Sequence, residues 1–122
     1  MERSEEGLTF AIARIRELRE EFWRDVKVTG LNEDFNQTLE RAGRVADFLE
    51  MGELMCVDAL DRDESCGAHY RDDHLSEDGE AERDDDNWCF VSAWESNGDE
   101  KFIRHSEPLY FDRIPLMTRN YK

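Results

Sequence analysis

Residues 36–71 read NQTLERAGRVADFLEMGELMCVDALDRDESCGAHYR, and their periodicity decides the fold. From about Asn32 to about Arg62 there is no proline, and Phe35, Leu39, Ala42, Leu49, Cys56 and Leu60 recur at helical spacing on one face. The expectation is one helix of about 30 residues, roughly 45 Å long at 1.5 Å per residue. A second set, Val45, Phe48, Gly52, Met55 and Ala59, lies on an adjacent face. The combined apolar surface is wider than one antiparallel neighbour can cover, so this helix calls for two partners.

One partner precedes it. Between Ser4 and Val28 the residues Leu8, Ala11, Ile12, Ile15, Leu18, Phe22 and Val26 form a single stripe. Ser4 before Glu5 and Glu6 suits an N-cap with carboxylates at the positive end of the helix dipole, and Gly30 suits a C-terminal stop. The second face is left to a third helix cut off from this chain, to self-association, or to the C-terminal segment folding back.

After the motif the character changes. Residues 72–86, DDHLSEDGEAERDDD, carry no apolar period and are expected to form a solvated or partly disordered loop. Trp88, Phe90, Ser92 and Trp94 alternate with Cys89, Val91 and Ala93, and Asn97-Gly98 signals a turn before Phe102, Ile103, Leu109, Tyr110 and Phe111. This predicts a β-hairpin in which Pro108 confines the second half to an edge, followed by an extended tail from Ile114 to Lys122. The fold class expected is mainly α with a small β part: an antiparallel helical bundle of two long helices, an acidic loop and a C-terminal β-hairpin. Residues 1–71 hold the helical portion and the motif, and residues 72–122 the loop, hairpin and tail of the same domain.

The 122 residues include 31 acidic and 16 basic side chains, a formal charge of -15 spread over both halves. A nucleic-acid or anionic-membrane binder needs a basic face to neutralise phosphates, so these partners are not expected. No apolar run reaches the roughly 20 residues of a membrane span, and MERSEEG lacks the order of a signal peptide, so a cytoplasmic protein is expected. Three cysteines, Cys56, Cys66 and Cys89, are an odd set without paired spacing and suit reduced thiols.

Candidate chemistry is thin. Cys66, His69, His74 and Cys89 are zinc-ligand types, but their spacing fits no common module, and Cys66 and His69 are expected at the end of the long helix rather than on a tight knuckle. Cys66 near His69 resembles a nucleophile and base, yet Asp61, Asp63, Glu64, Asp72 and Asp73 disfavour a thiolate. The acidic loop lacks the alternating ligands and distal glutamate of a calcium hand. No glycine-rich phosphate loop or nucleophile elbow is present. A self-contained active site is therefore not expected.

The motif at Asp63 to Arg71, DESCGAHYR, is similar to the E-S-R-G-A-H-x-R motif in the C-terminal region of succinate dehydrogenase and fumarate reductase flavoprotein subunits, which L-aspartate oxidase shares. SEEGLTFAIARIRELREEFW at residues 4–23 and the stretch from Asn36 to Ser65 resemble that region's helices. EDGEAERDDDNWCFVSAWE at residues 77–95 and the final RNYK resemble a branch with a charged insertion, which also tends to carry cysteine at Cys66. The resemblance implies a parent enzyme that interconverts succinate and fumarate through FAD. Its electrons would pass to an iron-sulfur subunit and a membrane quinone site, with the complex peripheral on the cytoplasmic face of the inner membrane.

In that family the FAD-binding and capping domains come first and hold the catalytic and flavin-linking residues. No catalytic, cofactor-binding or metal role therefore transfers to a position here, and no cofactor is expected in this chain alone. Glu64, Ser65, Cys66, His69 and Arg71 are expected as a structural motif that caps the long helix and ties it to neighbouring domains. Two alternatives stay open: a stand-alone acidic helical adaptor that dimerises, and the C-terminal region of an L-aspartate oxidase.

Overall fold

The computed structural model describes residues 3–30, 35–98 and 102–117. They divide into two compact units: Ser4–Asp61, which is helical, and Arg3 together with the chain from Arg62 onward.

In the helical unit, α1 spans Glu5–Asp25. Ser4 is its N-cap, in extended conformation, and its Oγ accepts the Gly7 N–H at 3.1 Å. The helix stops earlier than the apolar stripe suggests. Val26 turns to φ -60, ψ 131, although its N–H still donates to the Phe22 carbonyl. Val26, Val28 and Thr29 are β-branched and lose side-chain freedom in a helix, which favours extended backbone at this point. Gly30, expected as the stop, serves the following turn instead. Its φ is +110, and its carbonyl accepts the Asn36 side-chain amide at 3.0 Å.

The second helix, α2, spans Gln37–Asp61. The expected start near Asn32 lies outside the described residues, and Asn36 performs the capping. Its Oδ1 accepts the N–H groups of Thr38 and Leu39 at 3.0 and 3.2 Å. Phe35, assigned above to the packed stripe, precedes the helix and is exposed.

The helices run antiparallel, since the middle of α1 meets the later turns of α2 and its end meets the earlier ones. Leu8 and Ala59 are buried, and Gly52 lets Ile15 pack close to the α2 backbone. An apolar groove of about 360 Å³ lies where Leu18, Phe22 and Val26 approach Val45 and Leu49. At the centre of the pair Glu53 is fully buried and takes Arg16 Nε and Arg19 NH1 on its two oxygens, each at 2.6 Å. On the remaining face of α2, Phe48, Met51 and Met55 are exposed, and Val45, at the edge of the groove, is exposed beside them.

The second unit contains a one-turn helix, α3 (Asp85–Trp88), and two antiparallel strands, β1 (Phe90–Ser96) and β2 (Phe102–Pro108). Seven pairs run from Phe90 opposite Pro108 to Ser96 opposite Phe102. Pro108 ends β2, where its missing N–H costs least. Trp88, expected in the strand, belongs to α3, whose N-cap Asp84 accepts the Asn87 N–H. The strand therefore begins two residues later. Phe90 and Trp88 stack with centroids 5.4 Å apart, and the Arg104 guanidinium lies over both rings at 5.2 and 5.6 Å. The end of the expected tail, from Thr118, lies outside the described residues.

The acidic stretch is built from definite turns. Leu75 bridges Ala81, the Ser76 N–H donates to the Glu80 carbonyl at 2.9 Å, and Gly79 turns at φ +77. High charge alone points to solvation, but these backbone bonds and the α3 cap give the stretch a fixed course.

Candidate functional site: the clasp between Arg62 and Asp85

Directly after α2 the chain makes the motif turn. Cys66 and His69 exchange backbone hydrogen bonds at 2.8 and 3.0 Å, with Gly67 at φ +60 between them. These two residues therefore sit on a tight knuckle of their own and not on the helix end, which corrects the sequence expectation. A left-handed Gly67 permits so short a return. The space beyond it is open, so the cost of a side chain there is conformational only. Gly67→Ala is expected to destabilise the chain by about 1 kcal/mol, measured by urea denaturation. An unchanged midpoint would show that the turn tolerates another conformation.

The imidazole of His69 reaches back to the carbonyl of Arg62 at 3.0 Å. A carbonyl can only accept, so Nε2 carries the proton in this arrangement. That contact directs His69 Nε2 to the backbone and not to the Cys66 sulfur.

Ser65, fully buried, brackets Arg71: its Oγ donates to the Arg71 carbonyl at 3.0 Å and accepts the Arg71 N–H at 2.9 Å. The Ser65 N–H donates to the Glu82 carbonyl at 2.8 Å. Glu64, 2% exposed, accepts Arg62 Nε and NH2 on Oε1 at 2.8 and 2.5 Å, and the Asp84 N–H on Oε2 at 2.9 Å. Arg62 also donates to the Trp88 carbonyl.

Arg71, also 2% exposed, forms a two-pronged contact with Asp73, Nε to Oδ1 at 2.8 Å and NH2 to Oδ2 at 2.7 Å, and its NH1 lies 3.4 Å from Asp63. Asp63 also meets His74 Nε2 at 2.7 Å. Arg3 closes the other edge, exchanging backbone hydrogen bonds with Tyr70 and Asp72 and donating from NH1 to the Ala68 carbonyl. At the far end Arg83 holds Asp85 through Nε and NH2. This hydrogen bond raises the guanidinium pKa from its already high value, outweighing the opposing effect of burial. Linkage then keeps the contribution complete below the unfolded-state value and removes it only in strongly alkaline solution.

The structure thus brings Glu64, Ser65, Cys66, His69 and Arg71 into one small unit, with Cys66 and His69 half-buried. Arg62, Asp73, Glu82, Asp84 and Arg3 are equal members that sequence reading missed. Arg62 and Asp73 each stand two residues from their ionic partner, a faint signal visible in the sequence. Glu82 and Asp84 join through backbone groups and leave no side-chain signature, while Arg3 joins through its backbone and a side-chain bond to a distant carbonyl. Chemically the clasp is directed inward: its buried cations face carboxylates, its serine serves the backbone, and its histidine contacts are a carbonyl and a carboxylate. Among the described residues, no group of three or more His, Cys, Asp or Glu side chains is placed to hold a metal ion.

Paired antiparallel helices, an ionic clasp and a β-ribbon, in this order, define a helical module with a small β appendage. The family model described as fumarate reductase flavoprotein C-term matches residues 1–121, and the chain belongs to that family. Among solved structures it is similar to a mutant form of the E. coli quinol fumarate reductase chain FrdA. The TM-score is 0.81 and the identity 29%, over 96% of this chain and 19% of that one. The chain therefore spans about a fifth of that relative's length. No curated protein matches it. No described helix is long and apolar enough to cross a membrane.

Proposed function

We propose that this chain is the non-catalytic C-terminal module of a succinate dehydrogenase or fumarate reductase flavoprotein subunit. In this reading the parent subunit carries FAD, interconverts succinate and fumarate, and passes electrons through an iron-sulfur subunit to a membrane quinone site, in a complex peripheral on the cytoplasmic face of the inner membrane. The module buttresses the FAD-binding and capping domains that position the cofactor. The exposed stripe of Val45, Phe48, Met51 and Met55 is the surface against which other parts of such a subunit would pack.

The observation that carries this reading is the closure of the motif on itself. Glu64, Ser65 and Arg71 are 2%, 0% and 2% exposed and are occupied by protein partners. A dicarboxylate site would leave donors such as Ser65 and Arg71 facing a cleft. The test is His69→Ala in a complete subunit containing this module. Turnover per bound FAD is expected to stay within a few-fold of the parent, with any loss appearing as reduced stability. A large fall in turnover with folding and FAD content intact would make His69 catalytic and overturn the proposal.

A further inference from the structure

Strand β1 is followed directly by Asn97-Gly98, one and two residues beyond the ladder pair Ser96 opposite Phe102. Both residues are exposed, and Gly98 adopts φ +85. An asparagine side-chain amide carbon is an electrophile within reach of the next residue's backbone nitrogen whenever the following Cα carries no side chain to obstruct the approach. Glycine alone meets that condition, and exposure to solvent supplies the water and base the reaction needs.

We infer that Asn97-Gly98 is a site of spontaneous covalent modification, at which Asn97 converts to aspartate and isoaspartate. The Gly98 nitrogen loses its proton to solvent base and bonds to the Asn97 side-chain carbonyl carbon. The C–N bond of the amide breaks, and ammonia leaves with a proton from water. The resulting five-membered imide is opened by one water molecule at either carbonyl. One opening gives aspartate; the other gives isoaspartate, in which the main chain runs through the former side chain and gains one carbon. No oxidant or reductant enters.

Two other asparagines provide internal controls. Asn36 is followed by Gln37, and its amide donates to the Gly30 carbonyl while its oxygen caps α2. Asn87 is followed by Trp88, and its amide donates to Asp84 at 2.8 Å. Both precede residues with bulky side chains, whereas Gly98 has none. The consequence falls on the ribbon: turn length sets strand register, so an added main-chain atom beside Ser96 strains the ladder that places Arg104 over Trp88.

The test is incubation of the intact folded chain at mildly alkaline pH and 37 °C, followed by peptide mapping and isoaspartate detection. A mass gain of about one dalton is expected at Asn97, at least ten times faster than at Asn36 or Asn87, and Gly98→Ala is expected to slow it at least tenfold. Equal rates at the three positions, or an unmodified Asn97 while either control reacts, would overturn the inference. If Gly98→Ala does not fold, the ratio among the three positions in the unaltered chain decides by itself.

Discussion

Replacing Glu53 with alanine is expected to lower the stability of the chain by about 3 kcal/mol, at the lower end of the range for breaking a buried ionic cluster. Glu53 is fully buried, and its carboxylate is taken by Arg16 and Arg19, each at 2.6 Å. Removing it leaves two guanidinium groups facing an apolar helix interface. The loss falls short of the upper limit because Arg16 is 49% exposed and Arg19 20% exposed, so both retain some hydration. Arg19→Ala should therefore cost more than Arg16→Ala. Glu53→Met, which fills similar volume without charge, should recover part of the loss. Urea denaturation with an unchanged slope measures all four. If Glu53→Ala shifts the midpoint by no more than an exposed substitution would, the cluster contributes nothing.

The second large effect is expected at Arg71, where alanine should cost about 3 kcal/mol and lysine should fail to restore most of it. The side chain is 2% exposed and is gripped by Asp73 through two parallel bonds, with Asp63 on a third nitrogen. Its loss removes a cation from among Asp63, Asp72 and Asp73 in a chain of net charge -15. Lysine supplies the charge but not the planar fork that meets both oxygens of Asp73. Thermal unfolding followed by tryptophan fluorescence reports the change, since Trp88 lies within the same unit. An Arg71→Lys variant as stable as the parent would mean that charge alone, and not bidentate geometry, holds the clasp.

What the sequence discloses here is what depends on neighbours in sequence. Ser4 caps α1 because its oxygen bonds a backbone N–H three residues on, and the alternation from Phe90 with Asn97-Gly98 marks a hairpin by local rules. The motif residues were legible only as a set resembling a known region; their bracketing and pairing were not. Glu53 shows why. It stands inside the packed stripe of α2, four residues after Leu49 and three before Cys56, and a periodicity count treats it as a gap. An acid in that position requires a cation from the facing helix, and Arg16 and Arg19 lie one turn apart on α1. The same blindness affected the acidic stretch. Its carboxylates look solvated until Arg71 is placed on Asp73 and Arg83 on Asp85.

The segment ahead of α1 has a further meaning for how the chain acquires its structure. Arg3 pairs beside Arg71, and its side chain reaches a carbonyl 65 residues further along the sequence. Closing so long a loop costs chain entropy that no local contact offsets. Helix α1 can wind early from local contacts, but the backbone of Arg3 has no partner until the motif turn has been made. The Arg3 amide should therefore be among the last to become protected from exchange during folding, after those of α1.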